Sequence, residues 1–134
     1  MDKQYQQKLS HISLLLQVIN SDGEVSDNEL EYVSRIAKRM GLSGADLKKI
    51  VNEKIDFDPP VHEHKRIVLF HQLLILIYID GKIDEKELGF VSELGFKLGL
   101  NPYAIKEILA KLYENPEEGI DPKNITDTFK NFNN

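Results

Sequence analysis

Residues 20–34, NSDGEVSDNELEYVS, return in altered form as residues 78–92, YIDGKIDEKELGFVS. Each copy contains an Asp-Gly pair, then a branched apolar residue, then a Glu-Leu pair. A shift of 58 residues aligns the two copies, and about a third of the positions agree across roughly thirty residues. Self-similarity at a fixed spacing is typical of a duplicated structural unit. We therefore expect two related halves in this chain.

The apolar residues around these stretches recur at steps of three and four, which predicts amphipathic helices. The predicted stripes are Leu9, Ile12, Leu15, Leu16 and Ile19; Leu30, Val33, Ile36, Ala37 and Met40; Leu47, Ile50 and Val51; Leu88, Val91, Leu94 and Leu98; Ile105, Ile108, Leu109 and Leu112; and Ile125, Phe129 and Phe132. No segment shows the sustained period of two that a strand would need. The sequence predicts an all-α fold of about seven helices.

Helix ends are marked by two similar corners, MGLSGAD and LGLNPYA. We expect Gly41 and Gly99 to close their helices in the left-handed conformation, which glycine adopts without a steric penalty. A long central helix is predicted from about Val61 to Ile79, opened by the segment Asp58-Pro59-Pro60. Neither half can cover its apolar face alone, so this helix should be shared between them.

The length and composition favour one domain, since 134 residues with 41% hydrophobic content can build a single core. We expect residues 1–134 to form one bundle with pseudo-twofold symmetry. Repeat 1 should cover about residues 9–55 and repeat 2 about residues 61–113. A C-terminal helix should follow at about residues 121–132.

Composition also excludes several classes of function. The net charge of −5 argues against nucleic acid as a partner, because phosphate binding needs concentrated positive charge. The most apolar run, residues 67–79, is too short to cross a bilayer, and the first residues do not resemble a signal peptide. Cysteine is absent, as are a phosphate-binding loop and a nucleophile elbow. We expect a cytoplasmic, non-enzymatic protein of undetermined oligomeric state.

The Asp-Gly turns could be half of a calcium loop. If Gly23 is the invariant glycine of an EF-hand, the first ligand position falls on Val18, and in the second copy on Leu76. An aliphatic side chain cannot replace the leading carboxylate, so we reject an EF-hand. A structural interpretation explains much of the motif, because Ser26 and Glu29 form a capping-box pattern at a helix start. Asp84-Glu85-Lys86-Glu87 repeats this pattern in the second copy.

The histidines are the other candidate ligands. His62 and His64 flank Glu63, but on a helix they would point about 200° apart and could not share an ion. We expect them to be solvated residues at a helix start. His71 lies in an apolar run and should be a hydrogen-bonded core residue, while His11 should lie on a helix flank.

The doubled pattern of an apolar helix, an Asp-Gly turn and a capped Glu-Leu helix ending in Gly-Leu resembles the TerB-like family, which is associated with tellurite resistance. The resemblance covers roughly residues 9–112. It implies an all-helical bundle of about seven helices, a cytoplasmic location, and a role in stress response that involves a divalent metal held by acidic residues. Some relatives occur beside a J-domain co-chaperone, which implies a protein-interaction module instead.

Carried over residue by residue, the family pattern selects four candidate metal ligands: Asp22, Glu29, Asp80 and Glu87. Such a site would be weak, would use oxygen ligands only, and would take a cation such as Ca²⁺ or Mg²⁺. Lys82 stands where the first copy has Glu24, so the Asp22 turn should bind better than the Asp80 turn. Two hypotheses stay open: a metal-responsive stress protein, and a helical interaction module that recruits a protein partner.

Overall fold

The computed structural model describes residues 2–21, 23–81 and 83–132, and in these ranges it contains helices and no strand. The helices are α1 Lys3–Ile19, α2 Asp27–Arg39, α3 Gly44–Asn52, α4 Glu63–Tyr78, α5 Glu85–Lys97, α6 Pro102–Glu114, α7 Pro116–Gly119 and α8 Pro122–Phe132. The all-α prediction is confirmed. None of the helices in the described ranges is long and apolar enough to cross a membrane.

The helix count differs from the prediction by one short element. Eight helices are described instead of about seven, because α7 adds a single four-residue turn between α6 and α8. Asn115 caps α7 and Pro116 occupies its first position. The pair Asn101-Pro102 starts α6 in the same way. The repeated Asn-Pro pair was therefore a usable helix-start signal, since proline fits the first helical position.

The helix-ending corners have the predicted geometry. Gly41 and Gly99 have φ angles of +80° and +77°. The N–H of Leu42 donates to the carbonyl of Ala37, and the N–H of Leu100 donates to the carbonyl of Gly95. This six-to-one bond is the mark of a Schellman motif, in which a left-handed residue reverses the chain. Both corners redirect the chain into the next helix.

Helices α1 and α4 pack against each other, and the remaining helices lie around them. α2 and α3 contact α1, α5 contacts both α1 and α4, and α6 contacts α5, α7 and α8. The buried apolar side chains form one cluster that draws on α1 to α6 and on α8. Among its largest fully buried members are Phe70 of α4 and Phe129 of α8.

The predicted core stripe of α2 is confirmed for Val33, Ile36 and Ala37 but is wrong for its first member. Leu30, predicted to lie in the core, is 45% exposed, whereas Glu29 is only 5% exposed. Glu29 precedes Val33 by four residues and therefore extends the stripe of Val33, Ile36 and Ala37. Val51 was also expected in the core, but it is 73% exposed near the end of α3.

The central helix begins later than predicted. α4 starts at Glu63, and His62 is its N-cap without a side-chain capping bond. Residues 54–60 are irregular, and Asp58-Pro59-Pro60 belongs to this linker and not to the helix start. A residue before proline is pushed out of the helical region, which favours an extended backbone at Asp58 and Pro59. The backbone N–H of Asp58 donates to the hydroxyl of buried Ser10, at 2.9 Å, and ties the linker to α1.

Candidate functional site

The two Asp-Gly turns follow α1 and α4 and have matching backbone bonds. The N–H of Gly23 donates to the carbonyl of Asn20 at 3.2 Å, and the N–H of Gly81 donates to the carbonyl of Tyr78 at 2.8 Å. Each turn leads to the start of the next helix, α2 or α5. The bond from Asn28 to Asp80 and the pocket shared by Glu24 and Asp80 place the two turn regions at the same end of the bundle.

An acidic pocket lies between these turns, with a volume of about 440 Å³. Its apolar wall is formed by Leu76, Ile77 and Ile83. Its polar lining consists of the carboxylates of Glu24, Glu29, Asp80, Asp84 and Glu87. No lysine, arginine or histidine is among the described residues that line it. The part of the lining that the structure describes therefore carries only negative charge.

Three of the four candidate ligands meet in this pocket: Glu29, Asp80 and Glu87. The fourth, Asp22, lies outside the described residues, as does Lys82. The difference in affinity predicted for the Asp22 and Asp80 turns thus stays a prediction. The described carboxylates of the two turns nevertheless share one pocket instead of forming two separate sites.

Two of the three glutamates that line the pocket are the most deeply buried acidic residues in the described part of the chain. Glu29 is 5% exposed and Glu87 is 6% exposed. The predicted capping box of α2 is confirmed: the Ser26 N–H donates to Glu29 Oε1 at 2.9 Å, and the Glu29 N–H donates to Ser26 Oγ at 3.1 Å. Burying a carboxylate is costly unless it is hydrogen-bonded, and this bond offsets part of that cost.

The start of α5 is capped in a different way. Asp84 Oδ1 accepts from the N–H of Lys86 at 2.8 Å, one residue earlier in the helix than the bond that Ser26 accepts in α2. The side-chain oxygen of an N-cap residue can accept from the N–H of either the second or the third helical residue. The two helix starts thus resemble each other in position and differ in their capping bonds.

One direct hydrogen bond joins the two turn regions. Asn28 Nδ2, in the first turn of α2, donates to Asp80 Oδ1 at 3.2 Å. The bond orients the Asp80 carboxylate and links residues 52 positions apart in the chain. Asn28, Glu24 and Asp84 were not among the sequence-predicted site residues. The capping pattern pointed to Asp84, but the contact of Asn28 depends on helix packing that the local sequence does not encode.

The arrangement is not a closed metal cage. Within the described residues, no group of three or more histidine, cysteine or acidic side chains has the geometry to hold a metal ion directly. Oxygen ligands suit Ca²⁺ and Mg²⁺, and Mg²⁺ usually retains several of its waters. A water needs about 30 Å³, so a pocket of about 440 Å³ has room for a cation with its inner water shell. The rejected calcium loop agrees with this, since Val18 and Leu76 are buried in the core.

The histidines do not contribute to the pocket. His62 and His64 are exposed at the start of α4, as predicted. His71 Nε2 lies 2.8 Å from the carbonyl of Ile120, which confirms a hydrogen-bonded histidine near the core. His11 lies half-buried on the flank of α1 that faces α4, and its Nε2 lies 2.6 Å from Gln72 Oε1. Burial lowers the pKa of His11, although the bond to Gln72 acts in the opposite direction.

Comparisons with protein-family models, with curated proteins and with solved structures give no match to this chain. The resemblance to the TerB-like family therefore stays a prediction from the residues that carry it.

Proposed function

We propose that this chain is a non-enzymatic TerB-like helical protein that binds a hydrated divalent cation in its acidic pocket. The observation that carries this proposal is the meeting of Glu29, Asp80 and Glu87 in one cavity. These residues come from two segments that are related by a shift of 58 positions in the sequence. A cytoplasmic role in stress response belongs to the same proposal.

A duplicated, pseudo-twofold bundle explains why the two turns share a pocket. A shift of 58 residues carries the bounds of α2, Asp27–Arg39, onto those of α5, Glu85–Lys97. It also carries the start of α3 at Gly44 onto the start of α6 at Pro102. In such a bundle the related helices α1 and α4 pack together, so the elements that follow them meet across the symmetry axis.

The chemistry of the pocket favours a hard, hydrated cation. Carboxylates that share a cavity repel one another, and a divalent ion relieves this repulsion without needing three direct protein ligands. A carboxylate can accept at both oxygens, so a cation can share Glu29 while Oε1 remains bonded to the Ser26 N–H. Thiolate-preferring ions have no ligand because the chain contains no cysteine.

Coulomb's law gives the contribution of each carboxylate to the affinity for a cation. A divalent ion about 6 Å from one carboxylate in a water-like dielectric gains roughly 1.4 kcal/mol. Neutralising one carboxylate should therefore weaken binding by about tenfold. Added salt should weaken binding further, since screening acts over about 10 Å at 0.1 M ionic strength.

Titration of the ¹⁵N-labelled protein with Mg²⁺ and Ca²⁺ at low salt would test the proposal by NMR. The variants are Asp22→Asn, Glu29→Gln and Asp80→Asn, with Glu107→Gln as control because Glu107 is exposed on α6 outside the pocket. Glu29→Gln is informative because a glutamine can keep the capping bond while it removes the charge. We expect saturable shifts around the pocket in the wild type and the control, and weaker binding in the three variants.

The proposal would fail if the wild type gave no saturable shifts. It would equally fail if Glu107→Gln weakened binding as much as Asp80→Asn does, because the effect would then come from overall charge and not from the pocket.

A helical protein-interaction module is the second candidate function, and it rests on a different surface. Phe96 on α5 is 50% exposed and Tyr103 on α6 is 71% exposed. Neither residue lines the acidic pocket. Exposed aromatic side chains that lie together are typical of interaction sites. This candidate does not require the Asp-Gly turns to bind a metal.

A further inference from the structure

A second cavity, of about 450 Å³, lies between α5 and α6 and has a different lining from the acidic pocket. We call it the aromatic groove, and its lining residues are Ser92, Phe96, Pro102, Tyr103, Lys106 and Leu109. Four of these six residues are apolar or aromatic. The aromatic groove is separate from the proposed cation site, because the two cavities share no lining residue.

The aromatic side chains of the groove are not required by the fold. Residues 58 positions earlier occupy the corresponding places on α2 and α3, where Phe96 is matched by Lys38 and Tyr103 by Ala45. Both first-half residues are exposed. A surface position that accepts lysine or alanine in one half does not need an aromatic ring in the other. The rings therefore serve something other than packing in this chain.

The groove is open to solvent, which suits a helix lying on the surface better than an enclosed small molecule. Phe96 and Tyr103 keep 50% and 71% of their surface exposed, so they form low walls and do not enclose a ligand. The groove runs between two neighbouring helices. An amphipathic helix fits such a surface by placing apolar side chains, spaced three and four residues apart, between the walls.

The charge beside the groove indicates which kind of helix binds there. Among the described residues, Lys106 is the only charged one that lines the groove, and no salt bridge is found for it there. An ammonium group beside an apolar groove favours a carboxylate on the incoming segment. A second copy of this chain is a poor occupant, because each copy carries a net charge of −5 and the two would repel each other.

We propose that the aromatic groove binds an amphipathic helix of another protein, with large apolar anchors between Phe96 and Leu109 and a carboxylate facing Lys106. The apolar anchors provide most of the affinity, because aromatic residues dominate binding energy at interfaces. The carboxylate provides specificity against basic helices of the same shape.

A display selection with a helical peptide library would test this proposal. Each peptide in the library is an alanine-rich helix in which the residues of two turns are randomised. The library is selected for binding to the full-length wild type. A parallel selection uses the Phe96→Lys/Tyr103→Ala variant, which gives the groove the residues of the first half. Urea unfolding would establish that this variant is folded. We expect the wild type to enrich peptides with two large apolar residues at helical spacing and an Asp or Glu beside them.

Enriched peptides would then be synthesised and their affinities measured by fluorescence anisotropy. Phe96→Lys and Tyr103→Ala should each weaken binding by about tenfold, the usual effect of losing an interface anchor. Lys106→Glu should weaken it by about fivefold, whereas Lys48→Glu, at the matching position of α3, should change it by less than about twofold.

Three results would overturn the proposal: no enrichment on the wild type, equal enrichment on the double variant, or enriched peptides without acidic residues. Sedimentation velocity would also overturn the proposal if the wild type self-associated and the Phe96→Lys variant did not. A second copy of this chain, and not another protein, would then occupy the groove. Cation titration of the same variants keeps this test separate from the proposed function, because changes in the aromatic groove should leave cation affinity unchanged.

Discussion

Two glycines on α5 allow a direct test of how tightly the core is packed. Gly89 is exposed, and a Cβ atom added to it would meet nothing within 4 Å. Gly95 is buried, and a Cβ atom there would lie 2.7 Å from Ile105 Cδ1 and 2.9 Å from Phe70 Cε1. The substitutions Gly89→Ala and Gly95→Ala make the same chemical change in the same helix. Their effects should differ in sign.

The expected magnitudes follow from these contacts. Replacing glycine by alanine within a helix stabilises by roughly 0.5–1 kcal/mol. Gly89→Ala should show this gain. At Gly95 the same gain is opposed by overpacking, which costs about 1–3 kcal/mol in a filled core. The free energies of unfolding of the two variants should therefore differ by about 1–3 kcal/mol, the cost of overpacking. The stabilisation from replacing glycine by alanine in a helix is the same in both variants and cancels in the comparison.

The Phe70 ring decides whether the core can relax. The methyl group of Ile105 is the end of a flexible side chain and can move at low cost. The Phe70 ring packs edge-on against Phe129, with centroids 5.9 Å apart and planes at 80°. Both rings are fully buried, so Phe70 cannot turn away without disturbing α8. We therefore expect Gly95→Ala to be destabilising overall.

Urea unfolding monitored by circular dichroism would measure both variants, with equal m-values showing that the denatured state is unchanged. Adding Ile105→Val to Gly95→Ala should recover part of the loss in a double-mutant cycle, since it removes one of the two clashing atoms. If Gly95→Ala were as stabilising as Gly89→Ala, the packing argument would be refuted.

Two further predictions concern a helix end and a half-buried histidine. Gly99→Val should lower the free energy of unfolding by about 1–3 kcal/mol through backbone strain at φ +77°, whereas Gly44→Ala, at a position without positive φ, should be nearly neutral in the same urea assay. Burial lowers the pKa of His11 in the folded state, so the unfolded chain binds more protons and the stability of the wild type should fall as pH drops below about 6.5. Urea unfolding at several pH values would measure this loss of stability, which should be smaller in His11→Gln than in the wild type and unchanged in His64→Gln. An equal pH dependence of stability in the wild type and both variants would contradict the role of His11.

The fold could be predicted from local signals wherever those signals decide the structure. Helical periodicity, the Gly-Leu corners and the capping box of Ser26 are local, and they predicted the helix class, the corner geometry and the start of α2 correctly. The linker before α4 was misread because two prolines fit either a helix start or an extended segment. Only the contact of Asp58 with Ser10, which joins distant parts of the chain, shows which of these occurs.

The candidate site was predictable only in part for the same reason. The duplicated pattern selected Glu29, Asp80 and Glu87 without showing that they share a pocket. Their meeting depends on the packing of α1 against α4, which is a tertiary contact. The bond from Asn28 to Asp80 depends on the same packing. The aromatic groove was also missed, because exposed and buried aromatic residues look alike in a periodic sequence.

The register of α2 and α5 connects the fold to the proposed function. Glu29 occupies the core-facing stripe that continues with Val33, and Glu87 occupies the matching place ahead of Val91. An apolar residue would be the ordinary choice at such a position, and leucine stands next to each glutamate. The chain therefore accepts a buried carboxylate twice at the same structural position. Capping explains the hydrogen bonding at Glu29, and the helix dipole favours a negative charge in the first turn of both helices, but neither effect requires the carboxylate to be buried. Under the proposed function, a cation in the shared pocket would offset the cost of burying both carboxylates.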